Sequence, residues 1–178
     1  HESSLRFFPI PALQWLMFGV YLFDLDGTLI DRLPSLKRFL PEQYARYHTF
    51  HPPNAERFTE RFLELDQSGH TPKTELYERL VHEFGLSASV SELVNDLQIN
   101  AFRECPAEPG ALQLLEQLRL QGKKLGVVTN GSVVAQQQKL DASGIQACVD
   151  LALISEGVGM RKPDPGIFRR AAQYFDAE

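Results

Sequence analysis

Phe18-Gly-Val-Tyr-Leu-Phe23 is a short apolar run of aromatic and β-branched residues that stops abruptly at Asp24-Leu-Asp26-Gly27-Thr28. A run of this length, closed by a turn signal, reads as a strand buried in a parallel sheet. Aspartates two positions apart in an extended segment leave the backbone on the same side. Carboxylates so close repel, which favours either a bound cation or protonation of one of them. Gly27 permits a sharp backbone turn and Thr28 adds a hydroxyl. An Asp-Gly surface turn is the plain alternative, and the apolar strand ahead of it weighs against that reading. A calcium loop fails on spacing. Counting from Asp24, glycine falls at position 4 instead of 6, and Ser35 stands at position 12 where glutamate is needed.

From Leu33 to Arg103 the texture is helical, with no strong strand signal. Phe58, Phe62 and Leu65 form one apolar stripe, Leu76, Leu80 and Phe84 a second, and Val90, Leu93, Val94 and Leu97 a third. Asn54 is placed to cap one of these helices and Gly85 to end another. The segment is long enough for about four helices, a small bundle of its own. Pro109-Gly110 then breaks the pattern. A helix with the stripe Leu112, Leu115 and Leu118 follows and closes near Gly122. A strand over 124–128, a helix over 132–140 and a third strand over 151–154 come next. Asp164-Pro165 opens a last helix, with Asp at the N-cap and Pro at the first helical position.

Strand, helical insert, helix, strand, helix, strand, helix is the order of an α/β fold: a three-layer, open parallel sheet, Rossmann-like, with an inserted helical unit. The division expected is a core over 17–31 and 104–178 and an insert over 32–103. Residues 1–16 read as an N-terminal extension, a tag remnant or a misplaced start ahead of Met17. In open α/β sheets ligands bind beyond the carboxyl ends of the strands. Those ends carry Asp24 and Asp26, then Thr129 and Asn130, then Ser155 through Lys162.

A formal charge of -5 argues weakly against nucleic acid as a partner. It leaves a small phosphorylated substrate open, because one lysine or metal ion reverses the potential locally. The apolar stretch from Leu5 to Val20 is interrupted by Pro9 and Pro11 and falls short of a bilayer crossing, so no membrane partner is expected. Cys105 and Cys148 form no C-x-x-C pair and read as reduced thiols of a cytoplasmic protein. Oligomeric state leaves no mark.

Phe23-Asp-Leu-Asp-Gly-Thr-Leu29 resembles the first signature of the haloacid dehalogenase superfamily. The resemblance implies Asp24 as nucleophile on phosphorus and Asp26 as general acid/base. It also implies Mg²⁺ as cofactor, bound by Asp24 and by the backbone carbonyl of Asp26. Thr129-Asn130-Gly131 is similar to the second motif, which implies phosphate binding. Lys162, in Met-Arg-Lys-Pro-Asp-Pro, is similar to the third, where lysine holds the nucleophile and the transferring phosphoryl together; Arg161 beside it ranks lower. The fourth motif, an acidic cluster after another strand, has no counterpart before Glu178, and neither Glu156 nor Asp164 replaces it. The expectation is a C-terminally incomplete core: a piece of a longer protein, or a chain that holds metal poorly.

The helical insert resembles the family's cap between the first and second motifs. Arg32, Lys37, Arg38, Tyr44 and His48 are its candidate substrate contacts. The activity implied is Mg²⁺-dependent hydrolysis of the phosphate monoester of a small metabolite through an aspartyl-phosphate. Asp26 favours a phosphatase over a dehalogenase, since halide departs without protonation. A phosphomutase with the same two aspartates is one alternative. A non-catalytic module that binds phosphate or a partner protein is another.

Overall fold

The computed structural model of the chain describes residues 19–49 and 54–177. The extension expected over 1–16 lies outside the described residues. Strands β1 (Val20–Phe23), β2 (Lys124–Thr129) and β3 (Leu151–Ile154) form a parallel sheet in the order β1-β2-β3. Phe23 pairs with Val127, and Thr129 with Ile154, so all three strands end on one edge. The expected open parallel α/β arrangement is present.

Alternation along β2 divides its side chains between two layers. Leu125 and Val127 join Leu115, Leu118 and Leu140 in the larger core, supplied by α5 (Ala111–Leu120) and α6 (Val133–Ala142). Val128 and Leu153 pack instead against Ile167 and Ala171 of α8 (Pro165–Tyr174), which follows the one-turn helix α7 (Ser155–Val158). Gly126 shares this second face. A Cβ there would stand 2.7 Å from Leu22 Cδ2 and 3.2 Å from Phe175 Cε2, so glycine lets the end of α8 close on the sheet.

Two details differ from the sequence reading. β1 is less buried than a central strand: among the described residues it has a neighbour on one side only, and Leu22 is 37% exposed. The buried stripe of α5 is Ala111, Leu115 and Leu118, while Leu112 faces outward. Spacing alone could not rank the two, because both patterns fall on helical periods.

Helices α1 (Leu33–Tyr47), α2 (Ala55–Asp66), α3 (Lys73–Phe84) and α4 (Val90–Asn100) lie between the first two strands in sequence. They pack in a closed cycle, α1 on α2, α2 on α3, α3 on α4 and α4 on α1. Local signals set their ends as anticipated. Asn54 Oδ1 accepts from Arg57 N at 2.9 Å, and Gly85, with φ 58°, ends α3. Ser89 and Glu92 form a capping box at the start of α4. The chain leaves the core and returns at one place: Ile30 bridges Ala107, Glu108 N donates to Leu29 O at 2.8 Å, and Ser35 Oγ donates to Glu104 O at 2.7 Å. Among the described residues no helix is long and apolar enough to cross a membrane.

Candidate active site

After β1 the chain folds tightly on itself. Leu25, fully buried, offers its carbonyl to Leu29 N at 3.0 Å and Ile30 N at 3.1 Å, and Gly27 takes φ 73° to close the turn. Anchoring Leu25 leaves the flanking aspartates to project from the strand end. Each finds its own lysine. Lys162 Nζ lies 2.6 Å from Asp24 Oδ1, and Lys139 Nζ lies 2.7 Å from Asp26 Oδ1.

The two pairs differ in burial. Asp24 is 45% exposed as a side chain, and its Oδ1 also accepts from Leu25 N at 2.7 Å. Asn130 holds its lysine from behind: Asn130 Oδ1 accepts from Lys162 N at 2.8 Å, and Asn130 Nδ2 donates to Lys162 O at 3.0 Å. A side-chain amide bonded to both polar groups of one residue fixes that backbone as a strand partner would. Asn130 thus ties the end of β2 to the loop that carries Lys162 and directs Lys162 at Asp24.

Lys139 comes from α6 and is 6% exposed as a side chain. Burial pushes its ammonium pKa down, and the Asp26 carboxylate beside it opposes that shift. Its Nζ also donates to Gln136 Oε1 at 2.7 Å and lies 4.2 Å from the Phe102 ring centroid. Gln136 Nε2 then donates to Asp26 Oδ2 at 2.8 Å and Thr129 Oγ1 at 2.5 Å. Neither Gln136 nor Lys139 stands out in the sequence as a site residue. A lone lysine in a Gln-Gln-Gln-Lys stretch reads as a solvated face. The signal was their place on the same turn-to-turn row as Leu140, the apolar face of α6.

The groups of the second motif have partners within the protein. Thr129 is buried, with its oxygen accepting from Gln136. Gly131 N donates to Ser155 Oγ at 3.0 Å. At the start of α6, Val133 N donates to Glu156 Oε2 at 2.7 Å and Ala135 N to Ser132 Oγ at 3.3 Å. Two of these donors are held by Ser155 and Glu156, which the turn after β3 brings against them.

The insert candidates fall in different places. Tyr44 is a core residue, stacked on His48 at 5.1 Å and on Phe58 at 5.0 Å between ring centroids. Arg38 pairs with Glu104 at 3.1 Å, and Lys37 is exposed. Arg32 pairs with Asp66, which Lys73 also meets at 2.6 Å. Burial alone would push the Asp66 carboxyl up, but Lys73 and Arg32 reverse this and hold it below its ordinary range. Burial pushes the Cys105 thiol up, in keeping with a neutral packing residue.

Among the described residues no three His, Cys, Asp or Glu side chains converge as a metal site. The Asp24 carboxylate and the Asp26 carbonyl are hard oxygen donors at one strand end. They suit Mg²⁺, which binds through one or two carboxylates, keeps waters and takes substrate phosphate oxygens.

The chain is 32% identical over 162 residues to pyrimidine 5'-nucleotidase YjjG of Escherichia coli, covering 85% of this chain and 68% of that protein. It is 34% identical over 176 residues to glyceraldehyde 3-phosphate phosphatase of Methanopyrus kandleri, covering 88% and 70%. L-2-haloacid dehalogenase of Xanthobacter autotrophicus, solved with chloropropionic acid covalently bound, superposes with a TM-score of 0.65 at 18% identity, covering 91% of this chain and 66% of that one. That last likeness is one of fold. Residues 18–178 match the haloacid dehalogenase-like hydrolases, and the chain belongs to that family.

Proposed function

We propose that this chain carries the catalytic centre of a phosphatase that hydrolyses the phosphate monoester of a small metabolite through an aspartyl-phosphate at Asp24. The observation that carries the reading is the Asp24–Lys162 pair at 2.6 Å, half open to solvent and set at the strand ends beside Asp26. Phosphoryl transfer asks a protein mainly for positioning and for charge against the phosphoryl oxygens. Lys162, held by Asn130, answers both needs.

In the first half-reaction Asp24 attacks phosphorus, the bond to the ester oxygen breaks, and Asp26 gives its proton to the departing alkoxide. In the second, Asp26 takes a proton from water as the water oxygen attacks the phosphoryl group. The acyl-phosphate bond breaks, inorganic phosphate leaves, and the Asp24 carboxylate is restored. Thr129 accepts its hydrogen bond from Gln136, so the hydroxyl hydrogen is left to donate to a phosphate oxygen. Mg²⁺ held by Asp24 and the Asp26 carbonyl would neutralise charge between nucleophile and phosphate. The helical insert serves as a cap that shields this chemistry from bulk water.

The test is release of inorganic phosphate from 4-nitrophenyl phosphate and a panel of small phosphate esters, with and without Mg²⁺, by the native protein and by Asp24→Asn. Removal of a nucleophile lowers turnover by about a thousandfold or more. Equal activity in the variant excludes Asp24 as nucleophile. An isomerised sugar phosphate, with no phosphate released, identifies a mutase instead.

A further inference from the structure

Asp26 is gripped on both oxygens by two residues of one helix face, and their bonding leaves little freedom. Lys139 Nζ donates to Asp26 Oδ1 at 2.7 Å and Gln136 Nε2 donates to Asp26 Oδ2 at 2.8 Å. The ammonium is donor-only, so the Gln136 oxygen must face it. Both amide hydrogens then point away, one to Asp26 and one to Thr129 Oγ1 at 2.5 Å. Every polar group of Gln136 is used, and the residue is 2% exposed.

The backbone makes room for this. Gly131, at φ 151°, lies under the Gln136 side chain, and a Cβ there would sit 2.9 Å from Gln136 Cγ and Cδ. The second motif's glycine is therefore what allows Gln136 to cross from α6 to the first strand end.

We propose that Gln136 and Lys139 are positioning residues, which clamp the Asp26 carboxylate in the orientation that serves the leaving oxygen and lock it to Thr129. The surroundings favour this over a purely scaffolding role. A packed helix face is served equally well by apolar side chains, and burying an ammonium and an amide is costly unless their partners need fixing. The inference rests on the reading of Asp26 as the group that protonates the leaving oxygen.

That reading supplies a signature that scaffolding lacks. An ester whose phenolate departs readily needs little protonation, whereas a poorer leaving group depends on a well-aimed acid. The parameter to follow is kcat/KM, which reports the steps up to P–O cleavage, on phenyl phosphate and 4-nitrophenyl phosphate with the full-length protein. Gln136→Met keeps the volume and the Lys139–Asp26 pair but removes both donors. It is expected to lose about a hundredfold on phenyl phosphate, the scale of a misplaced catalytic group, and about tenfold or less on 4-nitrophenyl phosphate. Lys139→Met is expected to change the ratio in the same direction.

Equal losses on both esters, or no loss, overturn the clamp. If Lys139→Met does not fold, Gln136→Met decides alone, because its charge balance is unchanged. Asp24→Asn assayed alongside separates the two levels: activity surviving in it overturns the phosphatase reading itself. An inactive Asp24→Asn together with equal losses in Gln136→Met overturns only the clamp.

Discussion

Two buried glutamines organise the two halves of this molecule, and what they hold sets the halves apart. Gln43, fully buried in the insert, donates to Leu93 O at 3.0 Å and Asp96 Oδ2 at 3.1 Å and accepts from Tyr77 Oη at 2.6 Å. Gln136 is bonded as fully, but to Asp26, Thr129 and Lys139. All partners of Gln43 belong to helices of its own bundle, so its bonds fix α1, α3 and α4 against one another. Two partners of Gln136 lie at strand ends, so its bonds fix the place where ligands bind in such sheets. A satisfied polar network makes one arrangement unique. Which arrangement it makes unique depends on the partners, and this difference predicts that insert variants alter stability while core variants alter chemistry.

Within the insert, the largest expected effect belongs to Asp66, 1% exposed as a side chain and paired with Arg32 and Lys73. Removing one partner of a buried ion cluster strands the others, so Asp66→Asn should destabilise by about 3 kcal/mol. The pH dependence has a definite sign. The folded carboxyl is held below its unfolded value, so its contribution is complete above the ordinary carboxylate range and is lost as pH falls through the folded value. Urea unfolding should therefore show the gap between native protein and variant closing below about pH 4. The ratio of kcat/KM on the two aryl phosphates should not move. A moved ratio would put Asp66 on the core side of the comparison.

Gln43→Met comes next. It leaves the Tyr77 hydroxyl without its acceptor and removes a donor from Asp96, which keeps Arg46 Nη2 at 2.7 Å and Asn100 Nδ2 at 2.7 Å. One buried hydroxyl left unsatisfied corresponds to about 2 kcal/mol. Calorimetry should show the lower melting temperature, again with the leaving-group ratio unchanged. Gln136→Met, set beside it, makes the same chemical change in an equally buried place and should shift the ratio.

The strand order, the helical segment between the first two strands and the three polar strand ends were legible because each rests on local signals. Hydrophobic runs, helical stripes, Asn54, Gly85 and Asp164-Pro165 act within a few residues of themselves. Asp24 and Lys162 were legible through motif order. Gln136 and Lys139 were not, since their meaning arises across 110 and 113 residues of chain from Asp26. Nothing local distinguishes a lysine that turns inward from one that stays in water. The same limit applies to Tyr44, a candidate substrate contact whose ring packs in the insert core. Thr129 was read as phosphate-binding, and its tie to Gln136 depends on how α6 returns over the sheet.

The smallest effect tests whether the insert responds to local changes without passing them on. Asn54 caps α2 through one hydrogen bond, Oδ1 to Arg57 N at 2.9 Å. Replacing such a cap by alanine costs about 1 kcal/mol, and by glycine only a few tenths. Asn54→Ala should lower the urea midpoint with the slope unchanged, because one cap is lost and the surface exposed on unfolding stays the same. Asn54→Gly should recover most of the loss, since glycine keeps the backbone geometry of the cap open to water. Neither variant should change the leaving-group ratio: the cap sits at the start of α2, while Asp66, which pairs with Arg32, lies at its far end. A shift in the ratio with so small a loss of stability would mean that the insert and the Asp26 clamp move together, and the division between the two glutamines would fail.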